Sequence, residues 1–245
     1  MNWKPKKTTL SRICLASLLC LSSIVPSMFV QAQEVSENRQ IQAVVPPVGE
    51  NPGRRESAGV RGNCLPRDAA LTAIVPEQQV TLTTSVHPAL FFYLPKTASK
   101  EALFILYDEN DREIYKSIFS VAEMSGLLKV SVPDTVTSPR LEVGKNYFWQ
   151  FALLCNPDEP SLSPLVEGWV QRVALNSDIL TELESASASR KVEIYADAGI
   201  WQEALTTLAS LRQQEPNNLS LEAQWNQLLD SIGLSKIAQE PTIEP

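Results

Sequence analysis

The feature that most constrains the fold is a series of short β-rich runs between residues 71 and 173. Runs rich in β-branched and aromatic residues alternate there with turn residues, at a spacing typical of all-β sandwiches. The predicted strands are residues 80–84, 89–94, 102–107, 114–119, 127–132, 147–155 and 165–173. Seven strands suffice for an antiparallel, immunoglobulin-like β-sandwich. The sequence therefore predicts such a domain over residues 64–174.

The strand at 147–155 has the clearest alternation. Tyr147, Trp149, Phe151, Leu153 and Cys155 share one face, because successive side chains of a strand point to opposite sides. A face this apolar is predicted to belong to the core. The alternative is a stacking platform for sugars, which would require these rings to be exposed.

A helical tail is predicted after the β-rich region. Asn176-Ser177-Asp178 supplies helix-capping side chains, and the apolar spacing then changes from two to three or four residues. Residues 175–234 are predicted to form a helical hairpin plus a third helix, and residues 235–245 a disordered tail. The three helices are lined by Ile179, Leu183, Ile194 and Ala198, by Trp201, Leu205, Leu208 and Leu211, and by Leu221, Trp225, Leu228 and Ile232. The fold class is thus mainly β with an α tail.

One part of this tail resembles a tetratricopeptide repeat. Gly199, Trp201 and Ala204, followed by Pro216, match its second helix and closing proline. Only one repeat is visible, and a single repeat lacks the concave groove with which such arrays bind peptides. We expect it to pack on the sandwich or on a partner.

The first 32 residues have the features of a signal peptide. A basic start precedes an apolar stretch at 13–30, and small residues precede a predicted cleavage between Ala32 and Gln33. The alternative is a retained anchor, because the stretch approaches the roughly 20 residues that span a bilayer. Pro26 and the absence of a following basic cluster weaken that alternative. A periplasmic or secreted protein, with no stable membrane span after cleavage, is expected.

Cleavage leaves two cysteines, Cys64 and Cys155, in a compartment that permits disulfides. Two thiols allow one pairing, so a Cys64–Cys155 bridge is predicted. The alternative is a pair of free, buried thiols. Zinc is not expected, because two cysteines and the single histidine, His87, do not complete four ligands at a usual spacing. No metal and no other cofactor is predicted.

The charge balance disfavours nucleic acid as a partner. The predicted signal peptide holds four of the 21 basic residues and no acidic ones, so 17 basic residues remain against 28 acidic ones, a net charge of −11. Nucleic-acid binding requires a basic surface that neutralises phosphates.

A leader rich in Gln, Glu, Pro and Gly is predicted to be disordered over residues 33–63. Arg54, Arg55 and Arg61 alternate there with glycines. Glycine backbones can turn N–H groups toward a ligand, and arginine forks bind carboxylate or phosphate. The three arginines are therefore the candidate ligand-binding residues, for an anionic ligand. The alternative is a solvated linker that leads into the disulfide.

Motifs of known catalytic machinery are missing. The sequence contains no Gly-x-Ser-x-Gly, P-loop, Gly-x-Gly-x-x-Gly or His-Glu-x-x-His pattern. His87 precedes Pro88 and an apolar run, which indicates a residue at the start of a strand. We predict no catalytic residues and no enzyme activity. A carboxylate pair for glycoside hydrolysis is the alternative left open.

Several motifs taken together resemble the cyanobacterial domain of unknown function (DUF) 928 family, from about residue 52 to residue 234. They are Pro52-Gly53-Arg54-Arg55 with Arg61-Gly62-Asn63-Cys64, Ala73-Ile74-Val75-Pro76, Leu82-Thr83-Thr84-Ser85, Phe91-Phe92-Tyr93-Leu94-Pro95, Tyr147-Phe148-Trp149, Cys155-Asn156, Gly168-Trp169-Val170-Gln171-Arg172-Val173, Trp201 and Trp225. The resemblance implies a cyanobacterial envelope protein. It brings no catalytic residues.

These observations favour a non-catalytic binding or scaffold protein of the cell envelope with a protein partner. The alternative is a carbohydrate-binding sandwich that holds cell-wall or exopolysaccharide chains. An exposed aromatic row on one sheet would favour sugar, whereas an apolar patch on the helices would favour protein partners.

Overall fold

The computed structural model describes residues 53–57, 64–77, 80–156 and 163–245, all within one unit of the chain, Arg39–Pro245. The predicted signal peptide, its cleavage site at Ala32 and Gln33, and Arg61 lie outside the described residues. None of the described helices is long and apolar enough to cross a membrane.

In the described residues, eight strands precede four helices, and a ninth strand follows them, so the predicted class, mainly β with an α tail, is confirmed. The strands are β1 Thr72–Ala73, β2 Val80–Thr83, β3 Ala89–Leu94, β4 Glu101–Tyr107, β5 Glu113–Ser120, β6 Gly126–Ser131, β7 Asn146–Leu153, β8 Leu165–Arg172 and β9 Thr242–Ile243. The helices are α1 Ser177–Ser185, α2 Ala188–Asp197, α3 Trp201–Gln214 and α4 Leu219–Asp230, followed by a 3₁₀ turn, Ser235–Ile237. All seven predicted strands are present, with each end within two residues of its prediction.

The strands form a five-stranded sheet in the order β2-β8-β7-β4-β5 and a four-stranded sheet in the order β1-β3-β6-β9. The β2–β8 and β6–β9 pairs are parallel, so the prediction of fully antiparallel pairing is wrong for these two pairs. Parallel neighbours need a long connection between them. Both pairs join segments that are distant in the chain, and the pattern within one strand carries no information about its direction in the sheet.

One hydrophobic core lies between the two sheets. Phe92 of β3 stacks on Phe151 of β7 with ring centroids 4.2 Å apart, and it meets the edge of Trp149 at 5.5 Å. Tyr147, Trp149, Phe151 and Leu153 are all buried, as the alternation of β7 predicted. A sugar platform built from these rings is therefore excluded.

A second core forms where the helices cover the other face of the four-stranded sheet. Phe91 and Leu127 of that sheet pack in one buried cluster with residues of α2, α3 and α4. Trp201, the first residue of α3, is buried in this cluster, and its Nε1 donates to the Ile74 carbonyl at 2.8 Å. The helical tail is therefore packed on the sheet.

The first predicted helix is divided into α1 and α2 by an extended Ala186. Ser187 is the N-cap of α2, and its side chain accepts from the backbone N–H of Arg190. Serine competes for backbone hydrogen bonds and so favours caps over helix interiors. The tail therefore has four helices where three were predicted.

Residues 235–245 are ordered rather than disordered as predicted. The 3₁₀ turn brings the Ala238 carbonyl to Trp225, whose Nε1 donates to it at 2.9 Å. β9 then pairs with β6, and Lys129 forms an ion pair with Glu244 at 2.8 Å. A two-residue strand has no periodicity of its own, so the sequence gives no local sign of it.

The predicted Cys64–Cys155 disulfide is confirmed. The two Cα atoms are 5.6 Å apart, and the bridge closes a sequence separation of 91 residues. It ties the segment before β1 to the end of β7.

Leucine at position 204 is expected to destabilise the helical hairpin of α2 and α3. Ala204 is fully buried, and Gly199, with φ of +71°, makes the turn between the two helices. Added methylenes in a filled core force side chains and backbone to shift, so A204L should lower the free energy of unfolding by about 1–3 kcal/mol. Urea unfolding would measure this, with Q213L on the exposed part of α3 as control. An unchanged midpoint for A204L would show that this position is not tightly packed.

Candidate functional site

Part of the predicted disordered leader is ordered against the β-strands. Arg54 forms an antiparallel bridge with Glu167 of β8, with N–H to carbonyl distances of 2.7 and 3.0 Å. Glu56 forms a second bridge, with Thr72 of β1. Residues 53–57, called the leader segment below, therefore connect the two sheets.

Gly53 allows the leader segment to approach β8 this closely. Its φ is +81°, which L side chains rarely adopt. A Cβ here would clash with the Glu167 carbonyl oxygen and lie 2.7 Å from the Gly168 Cα. Glycine is therefore required by both the backbone angle and the space.

The candidate arginines of the leader have different surroundings. Arg55 is 14% exposed, and its Nη1 donates to the Ile232 carbonyl, just beyond α4, at 2.8 Å. This bond gives Arg55 a structural role. Arg54 is 50% exposed and lies 4.0 Å from a Glu167 carboxylate oxygen. Binding of an anion by Arg54, Arg55 and Arg61 together stays a prediction, since Arg61 lies outside the described residues.

An aromatic row crosses the outer face of the five-stranded sheet, the face opposite the shared core. Tyr107 of β4, Phe148 of β7 and Trp169 of β8 are cross-strand neighbours, with ring centroids 6.2 and 5.0 Å apart. All three side chains are partly exposed. Burial, and then the charge of Glu113, raises the pKa of Tyr107, so its hydroxyl stays protonated and can donate.

Polar side chains lie beside the aromatic row on the same face. The Tyr107 hydroxyl donates to Gln150 Oε1 at 3.4 Å, and Gln150 Nε2 donates to Glu167 Oε2 at 3.1 Å. Arg54 lies against the other oxygen of Glu167. Tyr107, Gln150, Glu167 and Arg54 thus form a polar chain that runs alongside the rings.

A cavity of about 340 Å³ adjoins this polar chain under the leader segment. It is lined by Gly53, Arg54, Arg55, Glu56, Val75, Pro76, Glu77, Trp149, Glu167, Gly168 and Trp169. The Nε1 atom of Trp149 and the Nε atom of Arg55 are buried, and neither has a hydrogen-bond partner among the described residues. Buried donors of this kind usually have partners, so the cavity suits a ligand with hydroxyl or carbonyl oxygens.

The charge of this cavity does not favour a simple anion. Its three carboxylates, Glu56, Glu77 and Glu167, outnumber its two guanidinium groups, Arg54 and Arg55. Across the described ranges, no cluster of three or more His, Cys, Asp or Glu side chains could hold a metal ion. The arrangement can form hydrogen bonds with a polyhydroxyl compound and stack against its rings.

The chain belongs to the family described as Domain of Unknown Function (DUF928), whose sequence model matches residues 56–242. No curated protein matches the chain. One solved structure to which it is similar, a multi-domain immunophilin from Arabidopsis thaliana, shares 8% identity over 80% of this chain and 97% of that one. The TM-score of 0.17 is too low for that likeness to inform fold or function.

Sequence reasoning missed the aromatic row. Phe148 and Trp169 lie within predicted strands. Because successive side chains of a strand alternate, Phe148 points to the face of the sheet away from the buried Trp149. The pattern of one strand therefore indicated one outward-facing ring. The row itself depends on which strands are neighbours and in which register, and no single strand encodes that.

Proposed function

We propose that this protein is a non-catalytic binding protein of the cell envelope whose ligand is a polysaccharide. The aromatic row on the outer sheet face is the observation that carries the proposal. Large apolar side chains left partly exposed beside a hydrogen-bonding chain are typical of binding surfaces.

The chemistry of the row and the polar chain fits a sugar. A pyranose ring has an apolar face of C–H groups that packs on aromatic rings, and its rim of hydroxyls needs planar hydrogen-bonding partners. Tyr107, Phe148 and Trp169 supply the rings, and Gln150 and Glu167 supply amide and carboxylate groups next to them. Trp169 also lines the cavity under the leader segment, so one ligand could engage both features.

The half-exposed Arg54 extends this proposal to acidic polysaccharides. Its guanidinium lies at the end of the polar chain and can form a paired hydrogen bond with a uronic acid carboxylate. The sequence-based proposal of an anionic ligand at Arg54, Arg55 and Arg61 is then one case of glycan binding, with Arg54 as the contact.

A scaffold with a protein partner is the second candidate function. Leu180 of α1 and Leu219 of α4 are 47% and 77% exposed, which favours an apolar contact on the helices. They are single side chains on two different helices, and isolated apolar residues are common on protein surfaces. The aromatic row is the stronger of the two observations.

The compartment and the finer fold description belong to the same proposal. We infer a periplasmic or secreted cyanobacterial protein, supported by the signal-like first 32 residues and by a disulfide, which persists in oxidising compartments. An immunoglobulin-like sandwich is supported by the core that the two sheets share. A tetratricopeptide-like hairpin of α2 and α3 is supported by buried Ala204 and by the end of α3 just before Pro216.

Alanine at position 169 is expected to weaken glycan binding about tenfold or more, because truncating an aromatic hot spot of an interface costs about 2 kcal/mol or more. The purified mature protein would be titrated calorimetrically with a neutral β-glucan, a uronic acid polysaccharide and soluble peptidoglycan fragments. R54Q should weaken binding of the acidic chain alone. I118A is the matched control, because Ile118 is 53% exposed on the same sheet, away from the row. Wild-type protein that binds none of the three, or W169A that binds as well as wild type, would refute the proposal.

A further inference from the structure

A second cavity, of about 500 Å³, lies between the first turns of α3 and strands β2, β3 and β6. It is lined by Thr83, Thr84, Ser85, His87, Ala89, Lys129, Ser131, Gln202, Glu203, Thr206 and Thr207. It shares no lining residue with the cavity under the leader segment. Nothing in the proposed glycan site involves these side chains.

One carboxylate oxygen of Glu203 accepts four hydrogen bonds, and the other accepts none from the described residues. Its Oε1 accepts from the Thr83 hydroxyl at 2.8 Å, from the Thr84 N–H and hydroxyl at 2.9 and 3.1 Å, and from the Ser85 N–H at 3.0 Å. Its Oε2 is buried and has no hydrogen-bond partner within the described part of the chain. These four donors hold the carboxylate in place and leave one oxygen free for a further donor.

Gln202 adds a second unused acceptor, and its amide orientation follows from its neighbour. The Thr81 hydroxyl donates to the Trp169 carbonyl at 2.9 Å, so its oxygen must accept from Gln202 Nε2 at 3.2 Å. The nitrogen of the amide is thereby fixed on the Thr81 side. Gln202 is 2% exposed, and its Oε1 is buried without a hydrogen-bond partner in the described residues.

His87 supplies a third buried polar atom that has no hydrogen-bond partner among the described residues. Its side chain is 6% exposed, and its Nδ1 lies 3.2 Å from the Asp134 carboxylate. A carboxylate accepts hydrogen bonds, so Nδ1 donates to Asp134, and the other ring nitrogen, Nε2, is left for a ligand. Nε2 is buried, again with no partner in the ranges that the structure describes.

We propose that this cavity is a binding site for a small primary-amine compound, whose ammonium group binds Glu203 Oε2. An ammonium brings three donors and one positive charge. The unpartnered oxygens of Glu203 and Gln202 are two acceptors that carry one negative charge between them, and Lys129, the lysine that lines the cavity, is already paired with Glu244 at 2.8 Å. No Lys, Arg or His of the described residues lies within ion-pair distance of Glu203. A neutral polyol could satisfy the acceptors but would leave the buried carboxylate uncompensated. The hydroxyls of Ser131, Thr206 and Thr207 can hold the rest of the ligand.

The test compares matched pairs of probes that differ in the amine alone. Glucosamine and glucose form one pair, and ethanolamine and ethylene glycol the other. Titration calorimetry on the mature W169A protein, in which the proposed glycan site is weakened, should give saturable binding of both amines, with Kd of about 1 mM or tighter, and none of the neutral partners. Ordered water would satisfy the same acceptors. Failure of both amines to bind would mean that the cavity holds only water and would overturn the proposal, as would equal binding of glucose and glucosamine.

Two variants locate the binding. E203Q keeps an oxygen for the four donors but replaces the charged oxygen by an NH₂ group, so amine affinity should fall about tenfold or more. T206M should block the cavity while leaving Glu203 intact, which covers the case that E203Q does not fold.

E184Q, at an exposed position of α1, controls for the change in net charge. W169A should bind amines as wild type does, so failure here and failure of the glycan site are distinguishable. Unchanged amine affinity in a folded E203Q or in T206M would refute the site.

Discussion

Replacing Cys64 and Cys155 together by alanine is expected to lower the free energy of unfolding by about 4–5 kcal/mol. The bridge closes a sequence separation of 91 residues, and the chain-entropy relation for a loop of that length gives about 4.6 kcal/mol at 25 °C. In that account the loss arises in the unfolded chain, which gains freedom when the crosslink is removed. The native contacts near the bridge, including the Thr97 hydroxyl and Ala98 N–H that donate to the Cys64 carbonyl, should persist.

Urea unfolding of the oxidised protein, the reduced protein and C64A/C155A would measure the effect. Removing the crosslink should also steepen the dependence of the unfolding free energy on urea, because a less constrained unfolded chain exposes more surface. The reduced protein serves as control, since it keeps both cysteine side chains. If reduction left the stability unchanged, the bridge would contribute nothing by constraining the unfolded chain.

The strands could be predicted from the sequence because each signal is local. Alternation along β7 identified Tyr147, Trp149, Phe151 and Leu153 as core residues, and all four are buried. The same pattern says nothing about the neighbours of β7 in the sheet. That β8 lies between β7 and β2, with β2 parallel to it, depends on contacts between residues far apart in the chain.

The candidate sites depend even more on contacts between residues far apart in the chain, which the sequence does not reveal. Arg54 could be singled out from its glycine-rich setting, yet its partner Glu167 lies more than a hundred residues away. The amine cavity joins the end of β2 to the first turn of α3, and neither segment carries a motif. Glu203 appears in the sequence as one more acidic residue of an amphipathic helix. Its four hydrogen bonds to residues 83–85 exist because α3 packs there.

Disorder was wrongly predicted for residues near both ends of the described chain, for a related reason. Residues 53–57 and 242–243 have a composition typical of flexible segments, and both are held by backbone pairing with distant strands. Backbone hydrogen bonds make little use of side-chain identity, so composition does not reveal them. By contrast, the division between α1 and α2 had a local signal, since Ser185, Ser187 and Ser189 disfavour a helix interior.

Alanine at position 201 is expected to destabilise the whole described unit by about 3–5 kcal/mol, the usual cost of truncating a buried tryptophan. Trp201 is 2% exposed and packs in the cluster that joins α2, α3 and α4 to the four-stranded sheet. Its Nε1 also satisfies the Ile74 carbonyl. W201A therefore removes both a buried indole ring at the start of α3 and a hydrogen bond from α3 to Ile74, the residue that follows β1.

The phenylalanine variant separates these two contributions. W201F keeps most of the buried ring but leaves the Ile74 carbonyl without its donor, a change that should cost about 1–3 kcal/mol. Helix content by far-ultraviolet circular dichroism and core packing by tryptophan fluorescence should report one shared transition in wild type, W201F and W201A, because the second core joins the helices to the sheet. If W201A instead lost helix signal first while the sheet core unfolded at the wild-type midpoint, the helices would be an independent unit. Their packing on the sheet would then not contribute to its stability.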